Sequence, residues 1–111
     1  MKAFAENLWR RIFGKRRTRY LNSSYRVGLV GTRYGEPYAT PADQREPLRL
    51  VMKGDTATHL EVAFLLPYDG CGTYIILGAE AFDAAGSCVV RASLDAVAIS
   101  PGNAITLKFD L

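Results

Sequence analysis

The stretch 60–66, LEVAFLL, places a large apolar residue at every even position and begins its odd positions with Glu61. A period of two residues is that of a β-strand, because successive side chains of a strand point to opposite faces of the sheet. This stretch therefore predicts a strand with one face in an apolar core. Its continuous apolar part, 62–66, ends at Pro67, far short of the ~20 residues that a membrane-spanning helix needs.

The same alternation recurs along the chain after residue 20. It is found at 25–29, 48–53, 87–94 and 105–111. Residues 73–82 are apolar on both faces and predict a fully buried strand, and turn signals stand at 53–56, 68–72, 83–86 and 100–103. Short strands separated by regular turns are typical of a small antiparallel β-sandwich or barrel, here of about six to eight strands. We expect one β-rich domain over 21–111.

One long connection interrupts this pattern, at 31–47, GTRYGEPYATPADQREP. We predict a loop there, with a single helical turn beginning near Thr40 and Pro41, since threonine before proline is a common helix start. A loop of this length is often functional, which makes Tyr34 and Tyr38 candidate contact residues. The alternative is a plain crossing between layers of the fold.

The first 20 residues have a different pattern, which predicts an amphipathic helix at about 3–13. On a helical wheel the apolar half and the polar half separate cleanly. The apolar half includes Phe4, Leu8, Trp9, Ile12 and Phe13. Gly14 follows the last periodic residue, as at many helix ends. So short a helix is marginal alone in water and needs a surface to fold against.

Charge is divided unevenly between this arm, residues 1–20, and the rest of the chain. The arm carries seven basic side chains and one acidic one, whereas residues 21–111 carry seven basic and ten acidic ones. Such a split indicates an anionic partner for the arm. The candidate anion-binding residues are Arg10, Arg11, Lys15, Arg16, Arg17 and Arg19.

Several interpretations of the arm remain open. Aromatic residues on one face with arginines beside them are typical of a helix lying on an anionic membrane. The basic run could instead neutralise nucleic-acid phosphates, with Tyr20 and Tyr25 stacking on bases, or act as a nuclear import signal. The helix could also pack on the protein's own sheet, or the arm could dock on its own acidic body.

The sequence contains few residues that could catalyse a reaction or bind a metal. His59 is the only histidine and shares a strand face with Glu61, so we expect a solvated strand residue. Cys71 lies in a glycine-rich turn, and Cys88 falls on a predicted core face. One histidine and two cysteines are too few for a structural zinc site, and no carboxylate pair is spaced for acid–base work. We therefore predict no catalytic residues, metal, cofactor or small-molecule substrate.

Taken together, these features favour a non-enzymatic binding or assembly protein. The arm engages an anionic membrane first and nucleic acid second, and the β-domain binds a protein partner or another copy of itself. At class level the combination resembles small viral matrix, coat or accessory proteins, an analogy of architecture only. The competing hypothesis is a compact protein-interaction module with its helix packed on the sheet. We expect a cytoplasmic location, membrane-peripheral if the arm binds lipid, with nuclear import as the alternative.

Overall fold

A computed structural model describes residues 18–70 and 72–111. Strands account for 70% of these residues, which confirms the mostly β prediction. The strands are β1 (Thr18–Arg33), β2 (Glu36–Ala39), β3 (Glu46–Lys53), β4 (Thr56–Leu65), β5 (Tyr74–Phe82), β6 (Cys88–Ile99) and β7 (Ala104–Phe109). A single 3-10 turn occupies Ala42–Gln44. The described residues contain no α-helix, and the helix predicted over 3–13 lies outside them.

The seven strands form one antiparallel sheet in the order β6-β5-β1-β3-β4-β7, with β2 paired to the end of β1. The sheet curves into a half-barrel. Its two edge strands, β6 and β7, do not pair with each other within the described part of the chain. The curvature therefore produces a concave face that stays open along one side.

β1 is the central strand, and it serves two sets of neighbours. Its first half pairs with β3 and its second half with β5. A register shift between Asn22 and Arg26 separates the two halves. At this shift the Ser23 hydroxyl donates to the Leu48 carbonyl at 2.6 Å and accepts from the Tyr25 amide at 3.2 Å. The serine thus satisfies backbone groups that the interrupted ladder leaves without strand partners.

The prediction of one loop over 31–47 is wrong for most of its length. β1 continues to Arg33, reverses at Tyr34 and Gly35, and pairs back with β2. Both turn residues have positive φ, 59° and 74°, as a two-residue hairpin turn requires because its twist then matches that of the strands. The predicted helical turn near residue 41 is confirmed as the 3-10 turn. Thr40 does not cap it; its hydroxyl accepts from the Leu29 amide at 2.8 Å.

Predicted turns are confirmed at three places, and two of them close hairpins between paired strands. Asp83 organises the turn before β6, where its carboxylate accepts from the backbone amides of Ala85 at 3.0 Å and Ser87 at 2.9 Å. Gly86 then adopts a φ of 88°, a value that a residue without Cβ reaches at no steric cost. The turns at 53–56 and 100–103 are confirmed in the same positions.

The buried core occupies one end of the concave face. Leu29, Val62 and Ile76 are fully buried there. Around them lie Val27, Phe64, Leu66, Tyr74, Ala79 and Leu107. Cross-strand register explains the grouping, since Leu29 faces Ala79 and Val62 faces Leu107. The alternation in 60–66 thus points Val62, Phe64 and Leu66 into this core, as predicted, while Leu60 is only partly buried.

Candidate functional site

An open apolar groove lies beside this core on the concave face. Its volume is about 420 Å³. The larger side chains that line it are Tyr25, Leu48, Leu60, Val89, Val90 and Phe109. Several of them are substantially exposed, with Val90 at 58% and Tyr25 at 43% of their maximal surface. The groove is therefore a surface that water reaches although its lining is hydrocarbon.

Alanines of β5 and β6 form the floor of the groove. Ala79 pairs with Ala92, and Ala81 pairs with Val90, so small side chains stand opposite each other where β5 meets β6. The larger lining side chains come from β1, β3, β4, β6 and β7. The alternating alanines of 79–81 and of β6 indicate small side chains on this face, but alternation alone does not say that the face is uncovered.

Few polar side chains line the groove. Glu80 is the one charged residue among the described residues that line it, and its carboxylate accepts from Arg91 Nε at 2.7 Å. A site for a polar small molecule usually offers several convergent polar groups. This lining instead fits an apolar occupant whose own polar groups remain in water.

A row of apolar residues connects the groove with the first part of β1, where the arm joins the sheet. Cross-strand pairs connect Leu21 with Leu50, Leu50 with Leu60, and Leu60 with Phe109. Paired residues share a face, so Leu21 extends the apolar row of the groove onto β1. Thr18, the first described residue, stands three residues before Leu21, about 10 Å along the strand.

The convex face carries a charged cluster on β3 and β4. Arg49 donates to Glu61 Oε1 at 2.8 Å, and His59 Nε2 lies 3.2 Å from Glu61 Oε2. The guanidinium of Arg49 also lies 4.3 Å from the ring centre of Tyr20. Glu61 is only 7% exposed, so the cluster is a compact, partly desolvated ion pair on the outer surface of the sheet.

These partners fix the charge state of Glu61. The hydrogen bond from Arg49 holds the pKa of this carboxyl below its ordinary value, with a smaller contribution from His59, while burial opposes the shift. The other ring nitrogen of His59, Nδ1, lies 2.9 Å from the Thr58 hydroxyl. Both nitrogens therefore have protein partners. The prediction that His59 shares a face with Glu61 is confirmed, but its ring is half-buried rather than freely solvated.

The two tyrosines predicted as loop contacts have different environments. Tyr34 is 70% exposed at the tip of the β1–β2 hairpin, and its ring lies against Gly72. Tyr38 packs edge-on against Tyr74 with ring centres 4.9 Å apart. Arg33 covers the same Tyr74 ring at 4.0 Å and makes a two-pronged ion pair with Asp69. Tyr38 thus supports the fold, and only Tyr34 presents its ring to solvent.

Most of the predicted arm lies outside the described residues. This applies to the apolar set Phe4, Leu8, Trp9, Ile12 and Phe13 and to the basic set Arg10, Arg11, Lys15, Arg16 and Arg17. Arg19 is described: it belongs to β1 and donates to the Gly54 carbonyl at 2.9 Å. The last three residues assigned to the arm, 18–20, are therefore part of the sheet.

Cys88 corrects another prediction, because it is exposed rather than buried. A register shift between Ala81 and Phe82 changes the alternation at the start of β6, and β6 is an edge strand. In the ranges 18–70 and 72–111, no group of three or more His, Cys, Asp or Glu side chains could hold a metal ion. The same ranges contain no helix long and apolar enough to span a bilayer.

Comparison with known proteins gives no relative: no family model, curated protein or solved structure matches the chain significantly.

Proposed function

We propose that this chain is a non-enzymatic binding and assembly protein whose basic N-terminal arm engages an anionic membrane surface. The observation that carries the proposal is where the arm meets the sheet. β1 begins at Thr18 beside the β3–β4 turn, and Arg19 is tied to the Gly54 carbonyl of that turn. Thr18, which follows the basic run in the sequence, thus lies at an outer end of the sheet beside the β3–β4 turn.

Ion pairing within the body supports an external partner for the arm. Glu61 pairs with Arg49, Glu80 with Arg91, and Asp69 with Arg33. Three carboxylates of the acidic body therefore already have a cation from the body itself. This weakens the alternative in which the arm folds back onto its own acidic groups.

The basic side chains contribute a substantial part of the proposed binding free energy to the membrane. Each lysine or arginine near an anionic leaflet contributes on the order of 1 kcal/mol. Lys15, Arg16 and Arg17 together contribute about 3 kcal/mol on that scale. A cytoplasmic, membrane-peripheral protein is the location that follows, with attachment that weakens as salt screens the charges.

Assembly is proposed through the edge strand β6, with a second copy of the chain as the partner. β6 is 12 residues long and mostly exposed, and its only charged residues are Arg91 and Asp95. A long apolar edge without proline or lysine is a template for pairing with another strand. β7 is six residues long and carries Lys108, so it is the better protected edge.

Vesicle flotation tests the membrane proposal. We expect the full chain to float with vesicles that contain phosphatidylserine and to remain behind with pure phosphatidylcholine. The triple change Lys15→Ala, Arg16→Ala and Arg17→Ala should lower the partition by roughly a hundredfold, the equivalent of about 3 kcal/mol.

The matched control removes the same charge from the sheet: Arg26→Ala, Lys53→Ala and Lys108→Ala, all at exposed positions. Equal loss in both triple variants would mean that net charge alone governs binding and would contradict an arm-specific site. Binding of RNA at low salt, lost in the arm variant while vesicles are ignored, would replace the membrane with nucleic acid as the partner.

Sedimentation equilibrium tests the assembly proposal. Ala98→Lys places a charge on the exposed side of β6 and should lower self-association, because lysine on an edge discourages strand pairing. Thr106→Lys makes the matched change on β7 and should leave it unaltered. An unassociated wild-type chain over the whole concentration range would contradict this part of the proposal.

A further inference from the structure

We infer that the concave groove is the docking site for residues 4–13 of the same chain, bound through their apolar half. The arm would then meet an anionic surface with its charges alone, without inserting its aromatic side chains. The inference deepens the proposed function and rests on it only for the role of the basic run. It states which segment of the chain covers the groove, and this can be tested without any membrane.

The exposed apolar surface of the groove favours the binding of an apolar segment. Val90, Tyr25 and Leu21 keep between 43% and 58% of their surface accessible although they lie on or beside the apolar row. Covering such surface is favourable by about 25 cal/mol per Å² of apolar area removed from water. A segment with several apolar side chains on one face satisfies this requirement better than a polar ligand does.

The length of chain before Thr18 suits the distance to be covered. Residues 14–17, if extended, reach about 13 Å, since a strand rises about 3.3 Å per residue. A helix over 4–13 is about 15 Å long. Because Leu21 lies only about 10 Å from Thr18, a connection of four residues lets the helix turn back along β1 and reach the Leu60–Phe109 row.

Chemical complementarity supports the same occupant. The groove is apolar and Glu80, its one charged residue in the described part of the chain, is already paired with Arg91. The apolar half of 4–13 carries Phe4, Leu8 and Ile12, whereas Arg10 and Arg11 lie on the opposite half. Docking by the apolar half would therefore turn both arginines outward, beside the basic run, and enlarge the cationic surface.

Tethering favours the chain's own segment over a second copy. A segment joined by four residues is present at an effective concentration in the millimolar range, and it avoids most of the entropy cost of association between molecules. A second copy would compete only at comparable protein concentrations. Occupancy of the groove should therefore be independent of concentration in dilute solution.

Trp9 reports on this docking, because it is the only tryptophan and lies in the apolar half of the segment. In the full chain without lipid, we expect blue-shifted emission and low quenching by acrylamide, unchanged by dilution. Leu8→Glu on the apolar half should shift the emission to longer wavelength and raise the quenching several-fold. Asn7→Glu on the polar half is the matched control and should leave both unchanged.

A substitution in the groove tests the groove's side of the contact with residues 4–13. Val90→Glu places a charge in the lining and should release Trp9 to solvent, whereas Leu65→Glu changes an exposed leucine on the opposite face and should not. Far-ultraviolet circular dichroism of each variant checks that the sheet is intact. If Val90→Glu fails to fold, Val90→Ser and Leu8→Glu still provide the same readout from each partner.

Three results would overturn the inference. They are a fully solvent-exposed Trp9 in the wild-type chain, a protected Trp9 that ignores both Val90 changes and Leu8→Glu, and protection that disappears on dilution, which would assign the groove to a second copy. None of them depends on vesicle binding. Conversely, loss of vesicle binding with an unchanged, protected Trp9 would contradict the proposed function and leave the docking in place.

Discussion

The two faces of the half-barrel use opposite means of stabilisation. The concave face is hydrocarbon, closed over Leu29 and Ile76 at one end and open as a groove at the other. The convex face carries charges in pairs, with Glu61 held between Arg49 and His59. Glu61 thus has its ion-pair partners within the sheet, whereas no partner covers the apolar groove among the described residues of the chain.

The two faces differ in how much they gain from binding another group. An ion pair whose charges already have partners gains little free energy when another molecule binds beside it. Exposed apolar surface gains from any occupant that excludes water. The groove on the concave face is therefore the place where association through apolar contacts is expected.

The largest loss of stability is expected when hydrocarbon is removed from the closed end of the concave face. Ile76→Ala should lower the free energy of unfolding by about 2–5 kcal/mol, since Ile76 is fully buried and the change leaves a cavity. Its neighbour Leu77 is 45% exposed, and Leu77→Ala should cost below about 1 kcal/mol. Urea denaturation measures both, and equal costs would refute the assignment of the core.

A smaller effect is expected from the convex cluster. Glu61→Gln keeps the size of the side chain but removes the charge that Arg49 pairs with, and should cost about 1–3 kcal/mol. The same change in an Arg49→Met background should cost less, because the partner is already gone. Denaturant unfolding of the four proteins measures this coupling, and strictly additive costs would argue against the pair.

The ion pair of Glu61 also makes stability depend on pH. The pKa of Glu61 is lowered from 4.5, chiefly by its hydrogen bond from Arg49. The folded state therefore binds this proton more weakly than the unfolded state does, so the stabilisation is complete above pH 4.5 and is lost as pH falls through the lower folded value. Wild type should lose more stability than Glu61→Gln over this acid range, and parallel pH profiles would contradict the shift.

The smallest effect is expected at Arg91, whose side chain is 76% exposed although it pairs with Glu80. Exposed ion pairs contribute little, because water and salt screen them. Arg91→Ala should leave the thermal midpoint unchanged within error at physiological salt. A clear drop in the midpoint would show that this ion pair contributes measurably to holding β6 against β5.

Alternation of residues was enough to predict most of this sheet. Residues 60–66 and 73–82 were located as strands because their apolar side chains are large and regular, and β4 and β5 lie there. β2 was missed because the turn before it is Tyr34–Gly35, whose tyrosine has a φ of 59°. Asn-Gly or Asp-Gly would have signalled the same hairpin.

The groove and the start of β1 were less predictable for physical reasons. Alternation assigns a residue to a face, but it does not say whether that face is covered, so the alanine floor on β5 and β6 could not be recognised as a hollow. Ser23 and Ser24 interrupt the pattern at the register shift, and this concealed the first part of β1. The exposure of Cys88 depends on a similar shift in β6, which sequence periodicity does not record.

The double pairing of β1 has a kinetic consequence. β3–β4 and β5–β6 are hairpins of neighbouring strands, and in the sheet only β1 joins one to the other. Each hairpin closes a short stretch of chain, but Arg26 must find Phe82 across more than half of the polypeptide. Contacts so distant in sequence slow the search. The second half of β1 thus has no partner on its β5 side until residues 74–82 have been synthesised, although β2 and β3 are available to pair with β1 before then.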